Sequence, residues 1–220
     1  MKVCAMNVRT ALVASLFALS ISASLPASAA TAEKRAVSDA DSESAVSQSA
    51  QPDDASIDRM TAHAMNMMPI DRMFKTVIAS NQAELESKLD ATQYACLMRE
   101  LSQDALTARK RGEVQSFAKA NPDAFASGLK LLDDGAAELV AKAVESSMNG
   151  AEPDMTKASG EATIAFVTFA FDEQLADLRA ITGFGDLNDP EGSGRATEKM
   201  MNALAADLSK TCAIPAEFFE

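Results

Sequence analysis

The stretch HAMNMM sets His63, Met65, Met67 and Met68 within six residues of one another. Thioether sulfur is a soft ligand and imidazole a borderline one, so the cluster has the donors that suit Cu(I). Copper is the cofactor it would take. The competing reading is packing, because methionine fills irregular gaps in helix cores and binding surfaces, and Met60 and Met73 continue the same richness on either side. His63 is the only histidine, so any Ser-His-Asp or Cys-His arrangement would have to use it. There is no G-x-S-x-G turn, no H-E-x-x-H and no Cys/His cluster with zinc spacing.

Three cysteines are present. Cys4 lies ahead of an apolar segment that reads as an export signal, which leaves Cys96 and Cys212. In an oxidising compartment such an even pair reads as a disulfide, one that closes a loop across most of the domain and ties the C-terminal tail to a helix near the domain's start. Neither belongs to C-x-x-C or has a local cluster of bases to lower its pKa, which argues against redox work. Carboxylates are abundant, yet nothing in the sequence singles out a catalytic pair. The acidic run Asp186, Asn188, Asp189, Glu191 misses the EF-hand pattern, with Pro190 in the fifth place and Glu191 where glycine is needed. Gly183-x-Gly185 follows a helix and enters an acidic loop, so it is no dinucleotide fingerprint. The expectation is a protein that is not an enzyme.

The elements that must position these residues read as helices. Residues 1–30 have the form of a secretory signal, with Lys2 and Arg9 ahead of an apolar segment at 11–23 and Ala27-Ser28-Ala29 as the cleavage site. About 13 apolar residues are too few to span roughly 30 Å of hydrocarbon, and no later segment is long enough, so no membrane span is expected after cleavage. Residues 31–56 have no aromatic side chain and are filled with Ser, Asp, Glu and Gln, the composition of a flexible tether. The helical domain is expected at 57–220.

Within it, Met60, Ala64 and Met67 mark a short helix after Ser56, and Pro69 either ends it or begins the next. Ile70, Met73, Phe74, Val77 and Ile78, extended by Leu85 and Leu89, give the clearest amphipathic stripe. The next helix starts at Asp90 or Thr92 and faces Tyr94, Leu97, Met98, Leu101, Ala105 and Ala108 inward. The triplet Arg109, Lys110, Arg111 then favours its C-terminal dipole, and Gly112 stops it. A long helix from Asn121-Pro122 carries Phe125, Leu129, Leu132, Ala136, Leu139, Ala143 and Val144 and ends near Gly150. Residues 161–182 are the most apolar run beyond the signal, with Ile164, Val167, Phe171, Leu175, Leu178 and Ile181 in one stripe and Phe166, Phe169 and Ala170 on a second face. A helix apolar on two sides must be enclosed. After a loop at 186–195, a last helix presents Thr197, Met201, Leu204 and Leu208, and Ile214, Phe218 and Phe219 form a docked tail. The fold class is therefore all-α, a single-domain bundle of six or seven helices around a central Phe-rich helix at 161–182.

One stretch resembles a known family. Phe171-Asp172-Glu173-Gln174-Leu175 with Leu178, then Asp189-Pro190-Glu191-Gly192, is similar to the F-x-x-E-L … S-P-x-G segment of small exported all-helical proteins of unknown function in Gram-negative bacteria. It has a longer spacer and Asp189 in place of Ser. The resemblance covers about 30 residues and implies an all-helical exported domain without implying an activity.

Charge bounds the partner. The chain has 20 Lys+Arg against 32 Asp+Glu, a net −12, and removing Lys2 and Arg9 with the signal leaves 18 against 32, a net −14. Phosphate backbones and anionic lipid repel such a surface, so nucleic acid is excluded as a natural partner and a basic protein fits better. The expectation is a periplasmic module that binds another protein, in concrete form an immunity or inhibitor protein against a basic toxin of the cell envelope. The alternatives are a Cu(I)-binding protein using the methionine cluster and a carrier of an apolar ligand held between helices.

Overall fold

Four short polar side chains set the starts of helices. Asp53 accepts the Ser56 N–H (2.8 Å), and Asp90 accepts those of Thr92 (2.8 Å) and Gln93 (2.9 Å). The Gln93 side chain returns to the Asp90 N–H at 3.1 Å, completing a capping box. Ser102 and Ser159 accept from Ala105 and Ala162 in the same way. Each cap satisfies an amide with no partner inside its own helix.

A computed structural model describes residues 52–185 and 190–219, and among them every regular element is helical, with no strand. The α-helices are α1 (Asp54–Met67), α2 (Ile70–Lys88), α3 (Ala91–Glu100), α4 (Gln103–Ala120), α5 (Pro122–Leu131), α6 (Ala137–Met148), α7 (Gly160–Phe171), α8 (Ala176–Thr182) and α9 (Pro190–Cys212). A π-helical segment, Leu132–Ala136, joins α5 to α6. Short 3-10 turns at Glu173–Leu175 and Ala216–Phe219 precede α8 and follow α9. The all-α expectation holds for the described residues. The expected signal at 1–30 and most of the tether lie outside them.

Several boundaries differ from the sequence reading, each for a local reason. α1 starts at Asp54, inside the stretch assigned to the tether, because Asp53 and not Ser56 is its cap. The helix expected to run from Asp90 to Gly112 is two, since Ser102 caps α4 anew. α4 then continues through Gly112, where an added Cβ would meet nothing within 4 Å outside its own helix, to Ala120. The 161–182 helix also breaks. Asp172 adopts an extended conformation (φ −69°, ψ 118°) and its carboxylate takes the Gln174 N–H at 2.9 Å, ending α7 and capping the next turn. Finally, α9 begins at Pro190, inside the segment expected to be loop.

Burial follows two clusters. The larger gathers Met60 and Met67 of α1, Val114 and Phe117 of α4, and Phe125 and Leu132, with Phe169 and Leu178 fully buried among them. The smaller gathers Phe74 of α2, Leu97 and Leu101, Leu208 of α9, and Ile214. The central position expected for α7 is half right. Ala165, Phe169 and Ala170 are buried, but Ile164, Val167 and Phe171 are 70%, 48% and 40% exposed, so the α7 part of the expected stripe faces out, while Leu175 and Leu178 beyond the break are buried. The close neighbour decides the phase. α7 lies on the π segment at Gly135, whose φ of 109° suits glycine and where an added Cβ would fall 2.7 Å from that of Ala162. Only the small-residue face of α7 can approach that closely.

Candidate functional site

The methionine cluster is divided by the fold. Met67 is fully buried in the larger cluster, whereas Met65 packs against the smaller one. Met68 lies over Gly183, with its methyl 3.1 Å from where a Cβ would stand. The His63 Nε2 meets Asp133 Oδ1 at 2.8 Å, with Arg59 3.6 Å from the same carboxylate's other oxygen. These four side chains thus occupy four separate surroundings. Beside His63 is an open depression of about 420 Å³, bordered by polar side chains such as Asn66, Arg72, Asp133 and Glu145 and by apolar ones such as Leu132 and Met148. Of the calcium candidates, Asp186, Asn188 and Asp189 lie outside the described residues.

Cys96 and Cys212 are joined as expected, with Cα atoms 5.5 Å apart across 116 residues of chain. The bond fastens α3 to the end of α9 and so roots the C-terminal tail.

The basic triplet, read as a helix end, stands in mid-helix, and each member binds a different element. Arg109 pairs with Asp207 of α9 and with Glu100, which raises its already high pKa, the Asp207 hydrogen bond first. Arg111 reaches Asp58 (2.7 Å) and Asp54 (2.9 Å) of α1, and the same cause raises its pKa. Lys110 is buried, and its ammonium donates to the Ile181 carbonyl (2.7 Å) and to Glu113 (2.6 Å). None of the three forms a patch for an external anion.

A residue that sequence reasoning missed is Arg179, which is 1% exposed. Its Nη1 donates to the carbonyls of Phe169 (2.9 Å) and Asp172 (2.6 Å). It caps the C-terminus of α7, as Lys110 caps that of α8, by placing positive charge where carbonyls lack helical partners. Asp172 followed by Glu173 was the available signal, since an N-cap and an acidic first turn mark a new helix.

Two surfaces remain that could take a partner. The first is the outer face of α7. Ile164, Val167 and Phe171 run along it, flanked by exposed Thr163 and Thr168. From 161 to 180 the exposed charges are Glu161, Glu173 and Asp177, and the only base, Arg179, is buried. The second is an apolar cleft between α2, α3 and α9, lined by side chains such as Phe74, Ile78, Leu97, Leu101 and Leu204, with Phe218 and Phe219 of the tail along it. Its free space is about 80 Å³. No protein-family model, curated protein or solved structure matches this chain.

Proposed function

We propose that this is a non-enzymatic binding module, exported to the periplasm by a cleavable signal at residues 1–30, that docks a basic protein through the outer face of α7. The observation that carries the reading is the exposure of Ile164, Val167 and Phe171 on one face of α7, in a stretch, 161–180, whose exposed charges are Glu161, Glu173 and Asp177. Contiguous exposed apolar side chains rimmed by polar groups are the mark of an interaction site. Three side chains cannot fill the roughly 800 Å² that a stable interface takes from each partner. They suit its centre, where a few buried anchors dominate the energy while surrounding charges steer the encounter. A partner offering an apolar ridge between lysines or arginines matches both features. An immunity or inhibitor role against a basic envelope toxin is the concrete form of this reading, supported by the acidity of the chain.

The test is co-purification of the tagged full chain from periplasm, beside Val167→Asp/Phe171→Ser. Both residues are largely outside the core, so the variant should keep its helicity and melting temperature while a stoichiometric basic partner drops out of the eluate. Recovery of the wild type alone, or of the same partner with both proteins, sinks the assignment.

A further inference from the structure

The chain holds one Asn-Gly step, Asn149-Gly150, and one Asp-Gly step, Asp134-Gly135. Both have the atoms to close the same five-membered ring, in which the backbone nitrogen of the glycine attacks the side-chain carbonyl carbon of the residue before it. Glycine favours the closure because it sets no Cβ against the incoming side chain. The fold puts the two steps in opposite surroundings. We propose that Asn149 is a self-modification site, converted without an enzyme to aspartate and isoaspartate, and that Asp134 is held inert.

Asn149-Gly150 lies past Met148, the last residue of α6, in an exposed turn. Gly150 has a φ of 67°, and an added Cβ there would meet nothing within 4 Å beyond its chain neighbours. Among the described residues, no hydrogen bond holds the Asn149 side-chain amide. The Asn149 N–H donates to the carbonyls of Glu145 (3.2 Å) and Ser146 (3.1 Å), and the Ala151 N–H to that of Ser146 (2.9 Å). Of these only the Ala151 bond spans the rotation that ring closure needs, and a bond at an exposed helix end opens readily.

Asp134-Gly135 stands inside the π-helical segment. α7 is packed so closely there that a Cβ on Gly135 would fall 2.7 Å from that of Ala162. The Asp134 carboxylate is also paired with the Lys130 ammonium. Closing a ring at this step means rotating a covered backbone and breaking that pair.

The reaction balances with water alone. The Gly150 nitrogen gives its proton to solvent and bonds to Asn149 Cγ. The Cγ–Nδ2 bond breaks, and the nitrogen takes up a proton and leaves as ammonia. Water then adds to one of the two ring carbonyl carbons. Opening at Cγ leaves aspartate, whereas opening at the backbone carbon leaves isoaspartate, with the chain routed through Cβ and Cγ. Either product places a new negative charge at the C-terminal end of α6, against the helix dipole and four residues from Glu145. The last turn of α6, which carries Glu145 and Met148 on the rim of the depression beside His63, should loosen as a result. The proposal is independent of the α7 face and stands or falls apart from it.

The test ages the purified full chain, disulfide intact, in warm, mildly alkaline buffer, and maps its peptides by mass spectrometry with fragmentation that separates isoaspartate from aspartate. Asn149 should convert in the native protein at a rate within about three-fold of that in guanidinium chloride, as a local opening free energy near zero implies. Isoaspartate at 134 should appear only in the denatured sample. In heavy-oxygen water the product at 149 should carry a labelled oxygen, and Asn149→Gln and Gly150→Ala should suppress its formation. An Asn149 that survives native ageing and reacts only once the chain is unfolded overturns the proposal, as does isoaspartate forming at 134 as fast as at 149 in the native protein. Asn149→Asp should exchange the amides of 145–149 faster than wild type with the rest of the molecule unchanged, and equal exchange strikes out the loosening of α6.

Discussion

The two clusters of this molecule are held by different means. The larger one closes by packing. Phe169, Leu178, Met60 and Met67 are fully buried, Phe184 sits 5.8 Å from Phe169 and 6.1 Å from Phe166 between ring centroids, and buried cations finish the helix ends. The smaller one leaves a cleft and is fastened by Cys96–Cys212. Where helices interdigitate fully, dispersion and burial restrain them. Where they do not, a covalent tie restricts the unfolded chain instead. The contrast is that the larger cluster holds its helices by burial and capping cations alone, whereas the smaller one adds a covalent tie between α3 and the end of α9.

The strongest way to break that comparison is to remove the bond. Cys96→Ser/Cys212→Ser should lose about 4 to 5 kcal/mol in urea unfolding, the chain-entropy value for a loop of this length. Hydrogen exchange should show α3 and the end of α9 opening before α1 and α7. Equal loosening of both halves would refute the division.

A smaller effect probes the packed half. Arg179→Met keeps the volume but leaves the Phe169 and Asp172 carbonyls without their donor, at a cost of about 3 kcal/mol. The loss should appear in thermal melts as a lower midpoint with the disulfide intact. A change below about 0.5 kcal/mol would mean that the buried guanidinium does no capping.

The finest test sharpens the packing claim itself. A Cβ on Gly128 would stand 2.1 Å from Leu178 Cδ2, and Leu178 is fully buried. Overpacking costs roughly 1 to 3 kcal/mol and the helical gain of alanine over glycine returns about 1, so Gly128→Ala should destabilise by about 1 kcal/mol net. Stabilisation would show that Leu178 has room to turn away and that this core is looser than its burial suggests.

Much of this arrangement was legible in the residues. The caps at Asp90, the Asn121-Pro122 start, the buried Phe125, Leu129, Leu132, Ala136 and Val144, the docked Ile214 and the Cys96–Cys212 pair are all where periodicity and composition place them. What was not legible has a common form. Ser102 and Asp172 sit inside apolar patterns that run on in phase across them, so the stripe hid the break. Arg109, Lys110 and Arg111 look like a solvated helix end until their partners at Asp207, Ile181 and Asp58 come into view from other parts of the chain.

The sequence by itself determined the helical class, most of the core positions and the disulfide, because each is written in local spacing or in the scarcity of cysteine. Only the tertiary structure decided which face of α7 is covered, that the methionines part company, and that the last phenylalanines fill a cleft. A helix apolar on two sides does not by itself choose which of them to bury. Its phase is set by the neighbour that can come closest, and here that neighbour is Gly135 against Ala162.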